Sequence, residues 1–401
     1  MRLIDVETQQ TIYHYNRQTA VEIPSRYQEK KFRAVWVSNV LNIDMPVLDN
    51  ENTYRKKVME IFDTCEAYNL NALIFQVRPA NDAFYISDLN PVSRYLMGEE
   101  GKKPPFDVMA WIIEEAHKRD IEFHAWCNPY RLSANKVDSI EDYLATCDGL
   151  NVAKRHPEYI IKDNYGKLML NPALSEVKNF IIKSMKEIVS CYDVDGIHFD
   201  DYFYPYGGMP ENAPGEEGFD EENQQAVDDF RRKNVNDIIK GVNDGIKEVR
   251  PSVRFGISPF GIWKNKQDGV YGSNTAPSCS ESYHSLYADS VRWVKENWID
   301  YVVPQIYWNF AHSIAPFADV CDFWVGVCQD EPVDLYIGHG AYRLGEKGFK
   351  DKNEIVNQIK YANQYPEVKG NVFFTYHTFV DDEKKKSGMR EVKALLNGVK
   401  E

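Results

Sequence analysis

The 401-residue chain carries 61 acidic and 47 basic residues, a net charge of −14, which argues against nucleic acid and anionic membrane surfaces as partners. Hydrophobic residues make up 43% and aromatics 13%, enough for a large core with aromatic surface to spare, so the length accommodates one large α/β domain or two ordinary ones. The seven cysteines, Cys65, Cys127, Cys147, Cys191, Cys279, Cys321 and Cys328, are odd in number and form no CxxC pair, so they read as reduced thiols and not as a disulfide frame or zinc site.

Residues 1–30 are polar and mixed, without the apolar centre of an export signal, and no apolar run is long enough to span a membrane. The chain as written is therefore expected in the cytoplasm, and export would require a signal already removed. From residue 32 onward, apolar β-branched runs alternate with amphipathic stretches. The periodicity predicts strands at 33–39, 72–78, 122–128, 196–202, 254–259, 301–307, 335–341 and 372–377. It predicts helices at 54–68, 106–119, 176–191, 224–249, 285–296, 315–328, 354–365 and 387–396.

Eight β/α repeats call for a closed (β/α)8 TIM barrel, since right-handed crossovers put every helix outside. The expected organisation is an N-terminal extension over 1–31 and a single barrel over 32–401. Helix-to-strand links are short, as at 69–71, 120–121 and 193–195. Strand-to-helix links are long, at 79–105, 129–173, 203–223 and 260–284, so the surplus length falls on the C-terminal face, where barrel active sites are built. A doubly wound open sheet is the alternative, but no Gly-rich phosphate loop follows the first strand.

The run Asp195-Gly-Ile-His-Phe-Asp-Asp-Tyr-Phe-Tyr-Pro205 concentrates the chemistry. On the fourth strand Ile197 and Phe199 should face the helices, leaving His198, Asp200 and Tyr202 toward the axis. Asp201 follows at the turn, either as a second acid or as a local cap. Adjacent carboxylates raise each other's proton affinity, so one can remain an acid while the other is charged. Strand 2 ends in Arg78, which if inward needs an anion of the substrate or of the site, and Asp82 follows it as a candidate second carboxylate. Strand 3 ends in Asn128, a donor to a sugar hydroxyl or a catalytic carboxylate, while His124 lies deeper. Strand 6 offers Gln305, Tyr307 and the ring of Trp308, and strand 8 offers His377. No His-x-His pair, nucleophile elbow or Walker loop appears, so no metal and no cofactor is expected.

Taken in order, Arg33-Ala-Val-Trp-Val37, Asn42-Ile-Asp-Met-Pro46, Phe75-Gln-Val-Arg-Pro79, His124-Ala-Trp-Cys-Asn-Pro-Tyr-Arg131, the Asp-Asp run, Ser258-Pro-Phe-Gly-Ile-Trp263 and Tyr301-Val-Val-Pro-Gln-Ile-Tyr-Trp308 resemble the glycosyl-hydrolase-like 10 family over about residues 32–380. The resemblance implies a (β/α)8 barrel and glycoside hydrolysis, with some relatives tied to bacterial cell-wall glycan and many exported. The Asp pair is also similar to that of hexosaminidases whose substrate's acetamido group is the nucleophile.

The leading expectation is thus a retaining or substrate-assisted glycosidase acting on an oligo- or polysaccharide of bacterial or dietary origin. Asp200 and Asp201 are its catalytic pair, Arg78, Asn128, Tyr202, Gln305 and Tyr307 position the sugar, and Trp36, Tyr130, Trp263 and Trp308 are stacking candidates. The alternatives are a catalytically silent glycan-binding barrel and a metal-dependent deacetylase or amidohydrolase.

Overall fold

The computed structural model describes residues 1–210, 213–216, 219, 224–267, 269–380 and 385–398. The link expected at 203–223, and the ends of the 32–401 barrel unit near 381–384 and 399–401, thus lie partly outside the described residues.

The strands are β1 (Phe32–Val37), β2 (Ala72–Arg78), β3 (Glu122–Cys127), β4 (Gly196–Phe199), β5 (Arg254–Ile257), β6 (Tyr301–Val302 and Gln305–Ile306), β7 (Asp334–His339) and β8 (Val368–Phe373). Every neighbouring pair is parallel, and β8 pairs with β1, which closes the sheet into a (β/α)8 barrel. Outside it lie α1 (Glu51–Ala67), α2 (Val108–His117), α3 (Ser175–Cys191), α4 (Gln224–Val249), α5 (Ser290–Lys295), α6 (Phe317–Cys328), α7 (Glu354–Asn363) and α8 (Lys386–Leu396). Side-chain oxygens of Asn50 and Asp107 accept from the first-turn N–H groups of α1 and α2 and fix where those helices begin.

Alternation along the strands separates two cores. Phe32, Ala34, Trp36, Ala72, Ile74, Trp126, Tyr301, Val303, Tyr336 and Val372 fill the barrel, while Val35, Leu73, Phe123, Ile197, Phe199 and Phe255 pack outward on the helices. The filling is close. A Cβ at Gly196 would lie 2.4 Å from Nδ1 of His124, and one at Gly256 would lie 2.0 Å from the Tyr301 ring. Glycine at both positions admits two large polar rings to the axis.

Only the strand expected at 72–78 keeps both bounds; β1, β3, β5 and β7 shift by one or two residues at one or both ends, and three strands change more. β4 ends at Phe199, so Asp200, Asp201 and Tyr202 belong to the loop above it. β6 is interrupted at Val303-Pro304, where proline has no N–H to pair. β8 lies at Val368–Phe373, four residues before its expected start, and carries Gly370 and Asn371 inside it. Gly370 is needed because a Cβ there would meet the Phe32 carbonyl at 2.2 Å. Asn371 is needed because it bridges His339 and Asn363.

The first 23 residues pack against the barrel. Bridges Arg2↔Glu22, Ile4↔Thr11 and Tyr13↔Ala20 fold them into an antiparallel meander, with Leu3, Ile12, Val21 and Ile23 in the outer core. The backbone N–H of Tyr15 donates to Asp319 on α6 at 3.1 Å. No helix among the described residues is long and apolar enough to cross a membrane.

Candidate active site

The ends of β1 to β6 and β8 surround a cavity of about 180 Å³ at the C-terminal face, lined by Trp36, Ser38, Gln76, Trp126, Arg131, Asp200, Asp201, Tyr202, Ser258, Gln305, Tyr307 and Phe374, with Val40 and Ile43 at its lip. Asp200 and Asp201 are the only carboxylates among these lining residues.

Asp200 is buried and surrounded by donors. Its Oδ2 accepts the Trp126 indole N–H at 3.1 Å and its Oδ1 the backbone N–H of Tyr202 at 3.1 Å. The Asn128 amide nitrogen reaches both oxygens, at 3.0 and 3.1 Å. The Asn128 carbonyl oxygen accepts the N–H of Arg131 at 2.8 Å, which fixes which way the amide points. Three donor groups and no acceptor suit an ionised carboxylate, which only accepts.

Asp201 is half-buried and differs from its neighbour. Burial, and next the charge of Asp200, push its carboxyl up to about 6, while hydrogen bonds from the Tyr206 hydroxyl and from Gln305 work in the opposite direction. Adjacent acids in such different settings divide into a fixed carboxylate and a group that holds a proton in mildly acidic solution.

Beneath the pair runs a buried chain of polar rings. The Trp36 indole N–H donates to Nε2 of His198 (3.2 Å), which also meets the Ser258 hydroxyl (2.9 Å). Nδ1 of His198 meets the Tyr301 hydroxyl (3.1 Å), that hydroxyl meets Nδ1 of His124 (2.8 Å), and Nε2 of His124 meets Glu122 (3.1 Å) at the far end of the barrel. An indole only donates, so Nε2 of His198 is the acceptor and its proton sits on Nδ1. Tyr301 then accepts from His198 and donates to His124, whose Nε2–H donates to Glu122. Burial, and next the neighbouring His124, lower the proton affinity of His198 well below the usual histidine range, in keeping with a neutral ring.

Of the sequence candidates, Trp36, Asp200, Asp201, Tyr202, Gln305 and Tyr307 line the cavity, and Asn128 stands directly behind Asp200. Six others lie elsewhere. A bulge between Gln76 and Arg78 turns Arg78 to the outer face of β2, where it is fully buried and donates to Asn81 (2.7 Å) and Asn90 (2.9 Å). Asp82 is buried in the loop above β2, accepting from Ser93 at 2.5 Å and from the Ala80 N–H at 2.9 Å. Burial pushes its carboxyl up to about 6, with the Ser93 bond opposing. Tyr130 is packed into the outer core. Trp263 packs against Tyr283 and Phe323 and donates to Asp289 at 3.2 Å. Trp308 lies edge-on to Phe260. His377 is exposed at the start of a short helix, its N–H donating to Asp44 at 2.8 Å.

Sequence reasoning passed over Arg131 and Phe374 as lining residues. The Arg131 guanidinium lies over the Tyr202 ring at 4.4 Å and donates to the Pro79 carbonyl at 3.1 Å. Its signal was its place two residues beyond Pro129, at the same strand end as Asn128. Gln76 was visible as a polar strand end. Its Oε1 accepts the N–H groups of Asn39 (2.9 Å) and Val40 (2.8 Å), tying the β1 loop to β2. No three of His, Cys, Asp and Glu gather closely enough among the described residues to hold a metal ion.

A closed (β/α)8 barrel with an acid pair and aromatic walls at its C-terminal mouth has the architecture of the glycosidase barrels. The model of the family described as Glycosyl hydrolase-like 10 matches residues 31–356, and the chain belongs to that family. Glycosyl hydrolase YngK of Bacillus subtilis is 39% identical over 356 residues, covering 86% of this chain and 68% of that protein. Glycosyl hydrolase DigH of Escherichia coli K12 is 31% identical over 377 residues, covering 87% and 84%. Among solved structures, α-L-fucosidase isoenzyme 2 from Paenibacillus thiaminolyticus superposes on 92% of this chain and 49% of its own, about half its length, with a TM-score of 0.58 at 12% identity, a likeness of fold alone. Family and fold together support a glycosidase-type function.

Proposed function

We propose that this protein hydrolyses O-glycosidic bonds in a bacterial or dietary glycan containing N-acetylhexosamine, with the substrate's own acetamido group as nucleophile. The observation that carries the reading is that Asp200 and Asp201 line one cavity and, among the described residues, no third acid does. A retaining enzyme with a protein nucleophile, or an inverting one, needs carboxyls on opposite sides of the scissile bond, about 5–5.5 Å or 6.5–9.5 Å apart. Two consecutive residues at one strand end approach from one side.

In this scheme the Asp201 carboxyl protonates the leaving oxygen as the C1–O bond breaks. The acetamido carbonyl oxygen forms a bond to C1, and the charged Asp200 accepts the acetamido N–H and offsets the positive charge of the cyclic intermediate. Asp201, now a carboxylate, takes a proton from water as its oxygen attacks C1, which restores the acetamide with the original anomeric configuration. Trp36 and Trp126 form the apolar floor, Tyr202 and Tyr307 the walls, and Gln305 steadies Asp201.

The test is a screen of N-acetylated and N-deacetylated oligosaccharides by mass detection, with and without chelator. New reducing ends from the acetylated series alone are expected. Equal cleavage of both series refutes the acetamido route, chelator-sensitive loss of acetyl points to a deacetylase, and binding without any product points to a glycan-binding barrel.

A further inference from the structure

The end of the barrel away from the acid pair opens into a second and larger cavity, of about 830 Å³, where β1, β3, β5, β7 and β8 begin. Its charged side chains fall into two groups. Each of the three acids already has a donor. Asp334 accepts from Arg254 at 2.7 Å, Glu122 accepts from Nε2–H of His124 at 3.1 Å, and Glu29 lies 3.2 Å from Arg33.

The three lysines, Lys30, Lys31 and Lys369, have no acid at ion-pair distance among the described residues, and they converge. Lys30 and Lys369 are anchored on consecutive carbonyls of the link from α7 to β8. Nζ of Lys30 donates to the Tyr365 carbonyl at 2.9 Å, and Nζ of Lys369 to the Pro366 carbonyl at 2.7 Å. Phe32 and Gly370 are the first paired residues of β1 and β8, so Lys31 and Lys369 precede that pair on adjacent strands.

Like charges side by side on neighbouring strands are destabilising. In a chain of net charge −14, three ammonium groups drawn together without a carboxylate run against the overall balance. Burial, and next the charge of Lys369, lower the proton affinity of Lys30, and Glu367 opposes them only from beyond ion-pair distance. An ammonium group has three donors, and the carbonyls take one each from Lys30 and Lys369, so the others are left for an anion. A phosphoryl group is the matching partner, since it is close to doubly charged at neutral pH and presents three oxygens to the point charges of lysine. A carboxylate would leave most of the lysine charge uncompensated.

The remaining lining is polar but not cationic. Gln28, Asn71 and Gln364 flank the lysines, and the Arg254 guanidinium, already engaged by Asp334, lies over the Tyr301 and Tyr336 rings at 4.9 and 5.5 Å. Glu122 and Asp334 beside it can only accept when ionised, so this floor suits hydroxyl or amino groups and repels a second anion.

We infer that this cavity binds a small phosphate ester, with the phosphoryl group on Lys30, Lys31 and Lys369 and a hydroxyl- or amino-bearing remainder over Glu122, Arg254 and Asp334. The site is independent of the chemistry at the mouth.

The experiment is isothermal titration of the full chain at low ionic strength with inorganic phosphate, glucose 6-phosphate and glucosamine 6-phosphate, comparing the parent with Lys31→Ala/Lys369→Ala. Both lysines are exposed, so the double variant should keep the parental melting curve. One equivalent of each ester should bind the parent, more tightly than inorganic phosphate, and the double variant should lose about tenfold or more in affinity, as for removal of hydrogen bonds to a charged group. Lys369→Glu should abolish binding and, by relieving the repulsion, should not lower the melting temperature. The inference is overturned if no phosphate compound binds the parent, if the double variant binds within twofold of it, or if sodium chloride of equal ionic strength reproduces the response. Any glycan cleavage at the mouth would be untouched by those results.

Discussion

The Asn128 side-chain nitrogen lies 3.0 Å from Oδ1 and 3.1 Å from Oδ2 of Asp200, so one donor group spans both oxygens of the carboxylate. With the Trp126 indole on one side and the Tyr202 amide on the other, Asp200 is held without freedom to rotate. Asp200→Asn puts an amide nitrogen among these donors. Turnover should fall more than about a hundredfold, as for loss of a group acting on the reacting atoms. The donor-against-donor contact should cost about 1–3 kcal/mol of stability without unfolding the protein. Steady-state rates and melting curves check both, and turnover at the parental level removes Asp200 from the chemistry.

Asp201 should set the alkaline limb of kcat/KM. Its carboxyl is pushed up to about 6, so the acid form is lost as pH rises through that value. The Tyr206 hydroxyl favours the charged form, and removing it in Tyr206→Phe should move the limb upward by about one pH unit. A limb that stays in place, or moves down, contradicts the assignment. Asp201→Asn should abolish the limb and spare cleavage of aryl glycosides whose leaving group needs no proton.

The same group affects stability in a fixed direction. The folded pKa of about 6 exceeds the unfolded value of about 3.9, so the folded state binds more protons between them and stability falls as pH rises through this window. Relative to the parent, Asp201→Asn should gain melting temperature above pH 6 and gain little near pH 4, as thermal scans across that range will register.

Asp82→Asn should leave kcat/KM near the parental value, because Asp82 bonds to Ser93 and Ala80 within its own loop and does not line the cavity. A collapse of turnover with an unchanged melting curve would bring that loop into the reaction.

Tyr301→Phe removes one oxygen shared by two histidines. Nδ1–H of His198 then has no acceptor and Nδ1 of His124 no donor, each worth about 1–3 kcal/mol when buried. Denaturant titration should show the loss, and imidazole nitrogen shifts in the parent should find the His198 proton on Nδ1. A proton on Nε2 would refute the direction of the chain.

Strand count, closure and the face carrying the long loops were legible because eight switches between period-two and helical periodicity are a strong signal, and each helix and strand needs a partner for its apolar side. Asp200, Asp201, Tyr202, Gln305 and Tyr307 were legible because polar and aromatic residues at strand ends stand out against apolar runs. Arg78 was misread because alternation puts it inward, and the one-residue bulge that turns it outward leaves no mark in the sequence. Phe374 was missed because Gly370 and Asn371 interrupt the β8 pattern for reasons that lie on β1, β7 and α7. Trp263 and Tyr130 illustrate the other limit, since a large ring just beyond a strand end can serve the outer core as well as the mouth.

The fixed direction of the bonds from Trp36 to Glu122 makes the barrel axis a one-way row. Passing a proton upward from Glu122 would require every bond in the row to reverse, and the last reversal would set a proton on Nε2 of His198 against the indole N–H of Trp36. Upward delivery of a proton from Glu122 to the acid pair is therefore blocked as long as the Trp36 indole holds His198 in this tautomer.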